Sequence, residues 1–290
     1  MKYIVMLCLF LASFSCKEKT KKEEQSSKSI LLERFAYQSK STPIISVHRG
    51  GKSIAYYPEN CLETIMFIND SIPAVYEIDI AKTKDNVLVL MHDNTLNRTS
   101  TGEGDITNYT YNELLQYNLE DDFGNETTFK IPLFKDVLLW AKTNNVILTI
   151  DIKKSVAVDQ VVAMVEEVGA EDVSVIITYD MKQASAAYKA SPNLLLSVSA
   201  RNEEELDWLL HSEIPTENMI AFTGTRLSSE AFYKKLHDLG MTCMLGTLGN
   251  LDKQAEAKGD TLYQKWVDLG IDVIATDRPF AAAASLNIKK

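Results

Sequence analysis

The chain is 290 residues long, 46% hydrophobic, and carries a formal net charge of −10. That length holds one large domain or two ordinary ones, and the apolar fraction supports a sizeable core. The acidic balance excludes a nucleic-acid binder, which needs a basic surface, but not a small anionic substrate held by a bound cation and a few local basic groups.

Met1-Lys2 and the apolar run from Tyr3 to Phe14 have the charged start and short hydrophobic region of a signal peptide, too short for a membrane span. Cys16 closes the run, and a polar stretch rich in Lys, Glu and Ser follows to Ser29. The pattern is that of a bacterial lipoprotein signal: residues 1–15 as signal peptide, Cys16 as the lipidated first residue, and 16–29 as a flexible tether. The expectation is therefore an exported protein anchored to a membrane of the cell envelope. Ser13 stands where such signals usually carry Leu, so simple secretion is the alternative. Cys8 leaves with the leader; Cys61 and Cys243 lack the spacing of a disulfide framework or a zinc site and read as buried thiols.

From residue 30 the pattern is one domain. Ile30–Ala36 reads as a short helix capping its bottom. Eight short apolar strands are expected near Ile44–His48, Val75–Ala81, Val146–Lys153, Val173–Thr178, Leu194–Ser199, Met219–Phe222, Thr242–Gly246 and Val273–Thr276. Amphipathic helices fall between them at Leu62–Asn69, Phe134–Thr143, Val158–Val168, Met181–Ala190, Glu203–Leu210, Ser229–Leu239 and Leu262–Leu269. This alternation predicts an α/β fold, a TIM (β/α)8 barrel, with a doubly wound open sheet as the alternative. Leu88, Leu90 and His92 alternate as a further strand, and residues 94–130 then lose the helical period, a stretch too long for a plain loop.

The span from Val47 to Asp93 gathers the chemistry: His48-Arg49-Gly50-Gly51, Pro58-Glu59-Asn60, Glu77-Ile78-Asp79 and His92-Asp93. Glu77 and Asp79, two apart in a strand, share a face, while Tyr76, Ile78 and Ile80 share the other. Two adjacent carboxylates repel and are costly to desolvate unless a cation joins them. In Leu148–Lys153 the same alternation sends Thr149, Asp151 and Lys153 to one face. Strand ends carry the chemistry of such barrels, so Glu77, Asp79 and Asp151 form an oxygen-rich set for one divalent cation, Ca²⁺ or Mg²⁺. The bland alternative is an ion pair of Lys153 with Asp79 or Asp151. His48 and His92 are the acid/base candidates, Arg49 and Lys153 the phosphate-binding ones, and Glu59 and Asn60 supporting residues. Asn60 suits either a helix cap or support of a catalytic group. His211, His237 and Arg98 read as surface residues.

These motifs resemble the signature of the glycerophosphodiester phosphodiesterase family: His-Arg-Gly, Pro-Glu-Asn-Thr, Glu-x-Asp and His-Asp, with Cys61 in place of the Thr. The likeness continues through Thr95–Gly104, Ile131-Pro132-Leu133, Asp151-Ile152-Lys153 and Ala275–Pro279. It implies a TIM barrel with a small cap inserted after the second strand, and metal-dependent hydrolysis of glycerophosphodiesters to an alcohol and sn-glycerol 3-phosphate. Two departures stand out. The family's third carboxylate is usually Glu, one methylene longer than Asp151, and Gly246 stands where a Trp is common, which predicts a more open pocket wall. Tyr109, Tyr111, Tyr117 and Phe123 suit the cap's own core better than a substrate pocket. No protein partner is marked. The alternatives are a phospholipase D-like or cell-wall-polymer phosphodiesterase on the same barrel, and a weakly active glycerophosphodiester-binding lipoprotein.

Overall fold

A computed structural model describes residues 29–290, so the expectations for the leader, Cys16 and nearly all of the tether lie outside the described residues. Nine strands form one sheet: β1 (Ile44–Val47), β2 (Val75–Lys82), β3 (Leu88–Leu90), β4 (Leu148–Ile152), β5 (Ser174–Thr178), β6 (Leu195–Ser199), β7 (Met219–Phe222), β8 (Thr242–Gly246) and β9 (Val273–Thr276). Eight of them are parallel, and the pairing of β1 with both β9 and β2 closes them into a barrel. β3 folds back antiparallel along the end of β2. The chain has the TIM (β/α)8 architecture.

Strand alternation makes the two layers. Ile45, Val47, Tyr76, Ile78, Leu148 and Ile150 are fully buried in the core between strands and helices. Val75, Ile147, Val175, Leu195, Ile220 and Val273 form a separate inner cluster, plugged from below by Leu31, Leu32 and Phe35 of the short helix α1 (Leu31–Arg34) and its end.

The remaining helices are α2 (Leu62–Ser71), α3 (Tyr111–Leu114), α4 (Phe134–Asn144), α5 (Val158–Val168), α6 (Met181–Ala190), α7 (Glu203–Leu210), α8 (Glu230–Asp238), α9 (Asn250–Lys258), α10 (Leu262–Asp268) and α11 (Pro279–Ser285). Local chemistry fixes their ends. Asp180, Asn202 and Ser229 accept from backbone N–H groups in the first turns of α6, α7 and α8. Gly169 ends α5 in the left-handed conformation. Among the described residues no helix is long and apolar enough to cross a membrane.

Residues between β3 and α4 build their own small core from Leu96, Ile106, Leu114, Leu119 and Ile131, against Cys61, Val89 and Met91. Thr110 and Glu113 form a reciprocal capping box that starts α3. Tyr109, Tyr111 and Tyr117 pack on this core, whereas Phe123 is exposed. Asp121 and Asp122 accept backbone N–H bonds from Tyr56 and Ser53, tying the segment to the loop after β1.

Three expectations are corrected here. β1 ends at Val47, and His48 opens a tight turn, His48–Gly50, rather than completing the strand. His237 is not a surface residue: its ring stacks on Tyr37 at 3.7 Å, and Nε2 lies 2.9 Å from Asp272. α9 and α11 appear where no helix was expected, one too polar and one too alanine-rich to show a clear apolar stripe.

Candidate active site

Parallel pairing of β2 with β4 sets Asp79 opposite Asp151 and Glu77 opposite Thr149, all turned into the barrel mouth. One carboxylate oxygen from each of Glu77, Asp79 and Asp151 lies within 4.8 Å of the others. Burial, then Asp79 and Asp151, hold the Glu77 carboxyl well above its usual range. Burial, with Asp79, also raises Asp151 against the pull of Lys153. Asp79 goes the other way: burial opposes its charge, but Lys153 and the Asn60 amide lower it. Lys153 Nζ sits 2.5 Å from Asp79 Oδ1 and 3.0 Å from Asp151 Oδ2, so the expected ion pair exists with both partners. One ammonium does not neutralise three carboxylates. Asp151 Oδ1 is buried with no hydrogen-bond partner. The donor set is all oxygen, compact and over-charged, and fits a hard divalent cation.

The turn after β1 supports this cluster. Arg49 adopts a left-handed conformation (φ 54°), which aims its N–H at Glu77 Oε2, 2.7 Å away. Gly51 allows the close approach of α2, since a Cβ there would lie 2.6 Å from Ile68 and Thr64 side chains. Asn60, also left-handed, gives its Nδ2 to Asp79 Oδ2 at 2.7 Å and accepts the Asp79 N–H at 2.9 Å. The N-cap of α2 is Cys61, with no side-chain cap, so Asn60 supports the carboxylates and does not cap the helix.

Each histidine leans on a carboxylate. His48 Nδ1 is 2.6 Å from Asp277 Oδ1, and His92 Nδ1 is 2.6 Å from Asp93 Oδ1. An ionised carboxylate only accepts, so each Nδ1 carries a proton and each Nε2 keeps a lone pair in the neutral ring. The two imidazoles line a cavity of about 290 Å³ that also exposes Glu77, Asp79 and Asp151.

A closed ring of five side chains holds His92. Arg49 Nη2 donates to His92 Nε2 (2.7 Å) and Nη1 to Glu59 (3.0 Å); Arg98 grips both Glu59 oxygens (2.7 and 2.9 Å) and both Asp93 oxygens (2.7 and 3.0 Å). Asp93 returns to His92 Nδ1. Burial opposes the charge of Glu59, but Arg98 and Arg49 together hold its carboxyl below the usual range. Arg98, though its side chain is 39% exposed, is thus tied into the site's framework. In this arrangement Arg49 and Lys153 face carboxylates and an imidazole, and neither lines the cavity.

Sequence reasoning left out three participants. Asp277 lies 229 residues from His48, and only the quoted Ala275–Pro279 likeness touched it. Tyr179, just past β5, lines the cavity, and burial together with the Asp151 carboxylate raises its phenol. Phe222 closes the wall expected to be open. A Cβ on Gly246 would meet the Phe222 ring at 3.3 Å and Thr225 at 3.1 Å, so the missing side chain makes room for Phe222.

The profile described as the glycerophosphoryl diester phosphodiesterase family matches residues 48–280. A glycerophosphodiester phosphodiesterase of Bacillus altitudinis is 26% identical over 246 residues, 81% of this chain and 94% of that protein. Glycerophosphodiester phosphodiesterase 1 of Homo sapiens is 34% identical over 112 residues, 37% of this chain and 32% of its own. The crystal structure of a glycerophosphoryl diester phosphodiesterase from Parabacteroides distasonis superposes with a TM-score of 0.81 at 32% identity, covering 89% of this chain and 90% of the other. A phosphodiesterase of Oleispira antarctica, solved in complex with the product sn-glycerol-3-phosphate, shares the fold at a TM-score of 0.69 and 17% identity over 88% and 99% of the two chains. With the profile spanning most of the chain, the protein belongs to the glycerophosphoryl diester phosphodiesterase family and is a phosphodiesterase.

Proposed function

We propose that the protein hydrolyses glycerophosphodiesters, with a divalent cation held by Glu77, Asp79 and Asp151, to an alcohol and sn-glycerol 3-phosphate. The observation that carries this reading is the convergence of three carboxylates, two of them buried, and two carboxylate-backed imidazoles on one cavity. When bound, a Ca²⁺ or Mg²⁺ ion would supply Lewis-acid charge for the phosphoryl oxygens and for an oxygen nucleophile. His48, its Nδ1 proton fixed on Asp277, offers Nε2 to take a proton from the attacking oxygen or to return one to the leaving alkoxide; His92 serves the other step. Phosphate entering the cavity competes for Arg49 Nη2, and its withdrawal from His92 Nε2 leaves that nitrogen free for proton transfer. Lys153, held by Asp79 and Asp151, would be free to meet phosphate if a bound cation engaged those carboxylates. The product held by the Oleispira protein agrees with the proposed product class.

Purified protein is assayed on glycerophosphocholine and glycerophosphoethanolamine with Mg²⁺ or Ca²⁺, with and without chelator. Chelator-sensitive release of glycerol 3-phosphate, lost in His48→Ala, is expected. No turnover with either ion, or full activity in His48→Ala, removes the reading. We also propose export and anchoring through lipid at Cys16, resting on the leader pattern alone. Fatty-acid labelling of the membrane fraction that persists in Cys16→Ser would overturn it.

A further inference from the structure

Away from the reaction cavity, a second set of ligand atoms converges at the opposite end of the barrel. His237 lies in the last turn of α8, Cys243 is the second residue of β8, and Asp272 stands just before β9. One donor atom from each lies within 4.8 Å of the others. His237 Nε2 is 2.9 Å from Asp272 Oδ2, which also accepts the Cys243 N–H at 2.7 Å. The backbone beneath them is fixed: the Asp272 N–H donates to the Cys243 carbonyl, and the Asp272 carbonyl accepts from the Ile44 N–H. Tyr37 stacks on His237 at 3.7 Å while its N–H donates to the Gly240 carbonyl, so the N-terminal arm closes over the imidazole.

A histidine–aspartate pair accounts for two of these residues but not for the thiol. Cys243 makes only a long contact, 3.9 Å, with the Tyr233 carbonyl. The other buried thiol, Cys61, donates to Glu63 at 2.9 Å and among the described residues joins no such group. Sulfur and imidazole are softer donors than the all-oxygen set at the barrel mouth, and with one carboxylate they suit Zn²⁺ rather than Ca²⁺ or Mg²⁺. Tetrahedral zinc bonds of about 2.0–2.3 Å place neighbouring donors roughly 3.4–3.6 Å apart. The His237–Asp272 contact then opens by about half an ångström, and no other separation closes by more than about 1.4 Å. Beside His237 a hollow of about 450 Å³, rimmed by Glu230, Lys234 and Asp268, has room for a water as fourth ligand. Lys234, the cation on that rim, is held by Asp238 at 2.7 Å.

We propose that His237, Cys243 and Asp272 form a zinc site, separate from the reaction cavity, that staples α8 to β8 and to the start of β9. The ion takes the lone pair of His237 Nε2, whose ring proton moves to Nδ1, and takes Cys243 as a thiolate, whose proton leaves to solvent. Burial and the Asp272 carboxylate favour the protonated thiol until a dication offsets them. The donors span 35 residues and three elements, which is why no short Cys or His spacing marks the site in the sequence.

The test is titration of the reduced protein with Co²⁺, a zinc substitute whose bond to a thiolate adds a charge-transfer band in the near ultraviolet. Millimolar Mg²⁺ is kept present to compete at the all-oxygen cluster, which has no sulfur to give such a band. A band that saturates at one Co²⁺ per chain and is erased by one equivalent of Zn²⁺ is expected. It should be lost in Cys243→Ser, persist in Cys61→Ser and Asp151→Asn, and need at least about tenfold more Co²⁺ in His237→Gln. No band at millimolar Co²⁺, or a band that survives in Cys243→Ser, overturns the site. Should Cys243→Ser not fold, His237→Gln decides, and a Co²⁺ affinity there equal to wild type overturns it.

Discussion

Glu59 does more than its place in a short motif indicates. It is 4% exposed and accepts from both the Arg49 and the Arg98 guanidiniums. Removing its charge leaves two cations facing one another in a poorly solvated place. Glu59→Gln is expected to cost about 3 kcal/mol in urea unfolding at pH 7, toward the low end for a broken buried pair because Arg98 is partly exposed and screened. The pH dependence has a definite sign. The folded carboxyl is depressed, so its contribution is complete above the ordinary Glu value of about 4.3 and is lost as pH falls through the lower folded value. Wild type should therefore lose more stability than Glu59→Gln between roughly pH 5 and pH 2. A parallel loss in both proteins would contradict the linkage. At Asp277 the expected effect is on chemistry instead. In Asp277→Asn the amide can donate to His48 Nδ1 and invert the tautomer, and kcat should fall about 100-fold or more with KM little changed. His48, His92, Glu77, Asp79 and Asp151 were readable from residue type and spacing. Arg98 and Asp277 were not, because their partners lie 39 and 229 residues away and only the closed barrel brings them together.

At the scale of elements, periodicity was most legible where a helix buries a clear apolar stripe. α5, α6 and α7 fall on the expected residues because Val161, Val162 and Val165, Ala184 and Ala187, and Leu206 and Leu209 recur at helical spacing on one face. α9 escaped because its buried residues include Asp252, whose carboxylate accepts from Tyr263, Thr276 and the Asp277 N–H. That is tertiary information: the residue looks solvent-facing until β9 is in place. Asp252 thereby positions the backbone of Asp277 behind His48. The short helix α1 is a different case, a local element whose worth is almost wholly tertiary. Its four residues are too few to be stable alone. They are held by Ile30 N–H on Asp172, by Thr242 Oγ1 on the Phe35 carbonyl at 2.7 Å, and by burial of Leu31, Leu32 and Phe35 under the barrel. Phe35→Ala is expected to lower unfolding stability by about 3–5 kcal/mol. It lies beneath the ring of strands, opposite the end that carries the carboxylates, so kcat/KM at 25 °C should stay within about twofold of wild type. A large loss of activity in protein that remains folded would mean the two ends of the barrel are coupled.

For the whole molecule, the barrel brings three acids together at one end and leaves them with a single ammonium, at a cost to the fold that a bound cation would relieve. Two outcomes follow for thermal melts at pH 7. Millimolar Ca²⁺ or Mg²⁺ should raise the melting temperature of wild type, because a ligand that binds only the folded state stabilises it by mass action, about 2.7 kcal/mol at 100 times its dissociation constant. For a domain of this size that corresponds to roughly 5–10 °C. Asp151→Asn should differ from wild type both without the ion and with it. Burial and Asp79 hold the Asp151 carboxyl above its ordinary value, so its charge costs more in the folded protein than in the unfolded chain, and a neutral amide removes repulsion from Asp79. Without added ion the variant should therefore melt at or above the wild-type temperature, even though Lys153 loses one partner. With added ion it should gain only a small part of the wild-type shift, since one of three anionic donors is gone and an amide oxygen binds a hard cation less strongly. The two melting curves should cross as ion is titrated in. If Asp151→Asn were less stable than wild type in chelator and responded fully to the ion, the Lys153 ion pairs would be the reason these acids are gathered, and the cation would belong elsewhere.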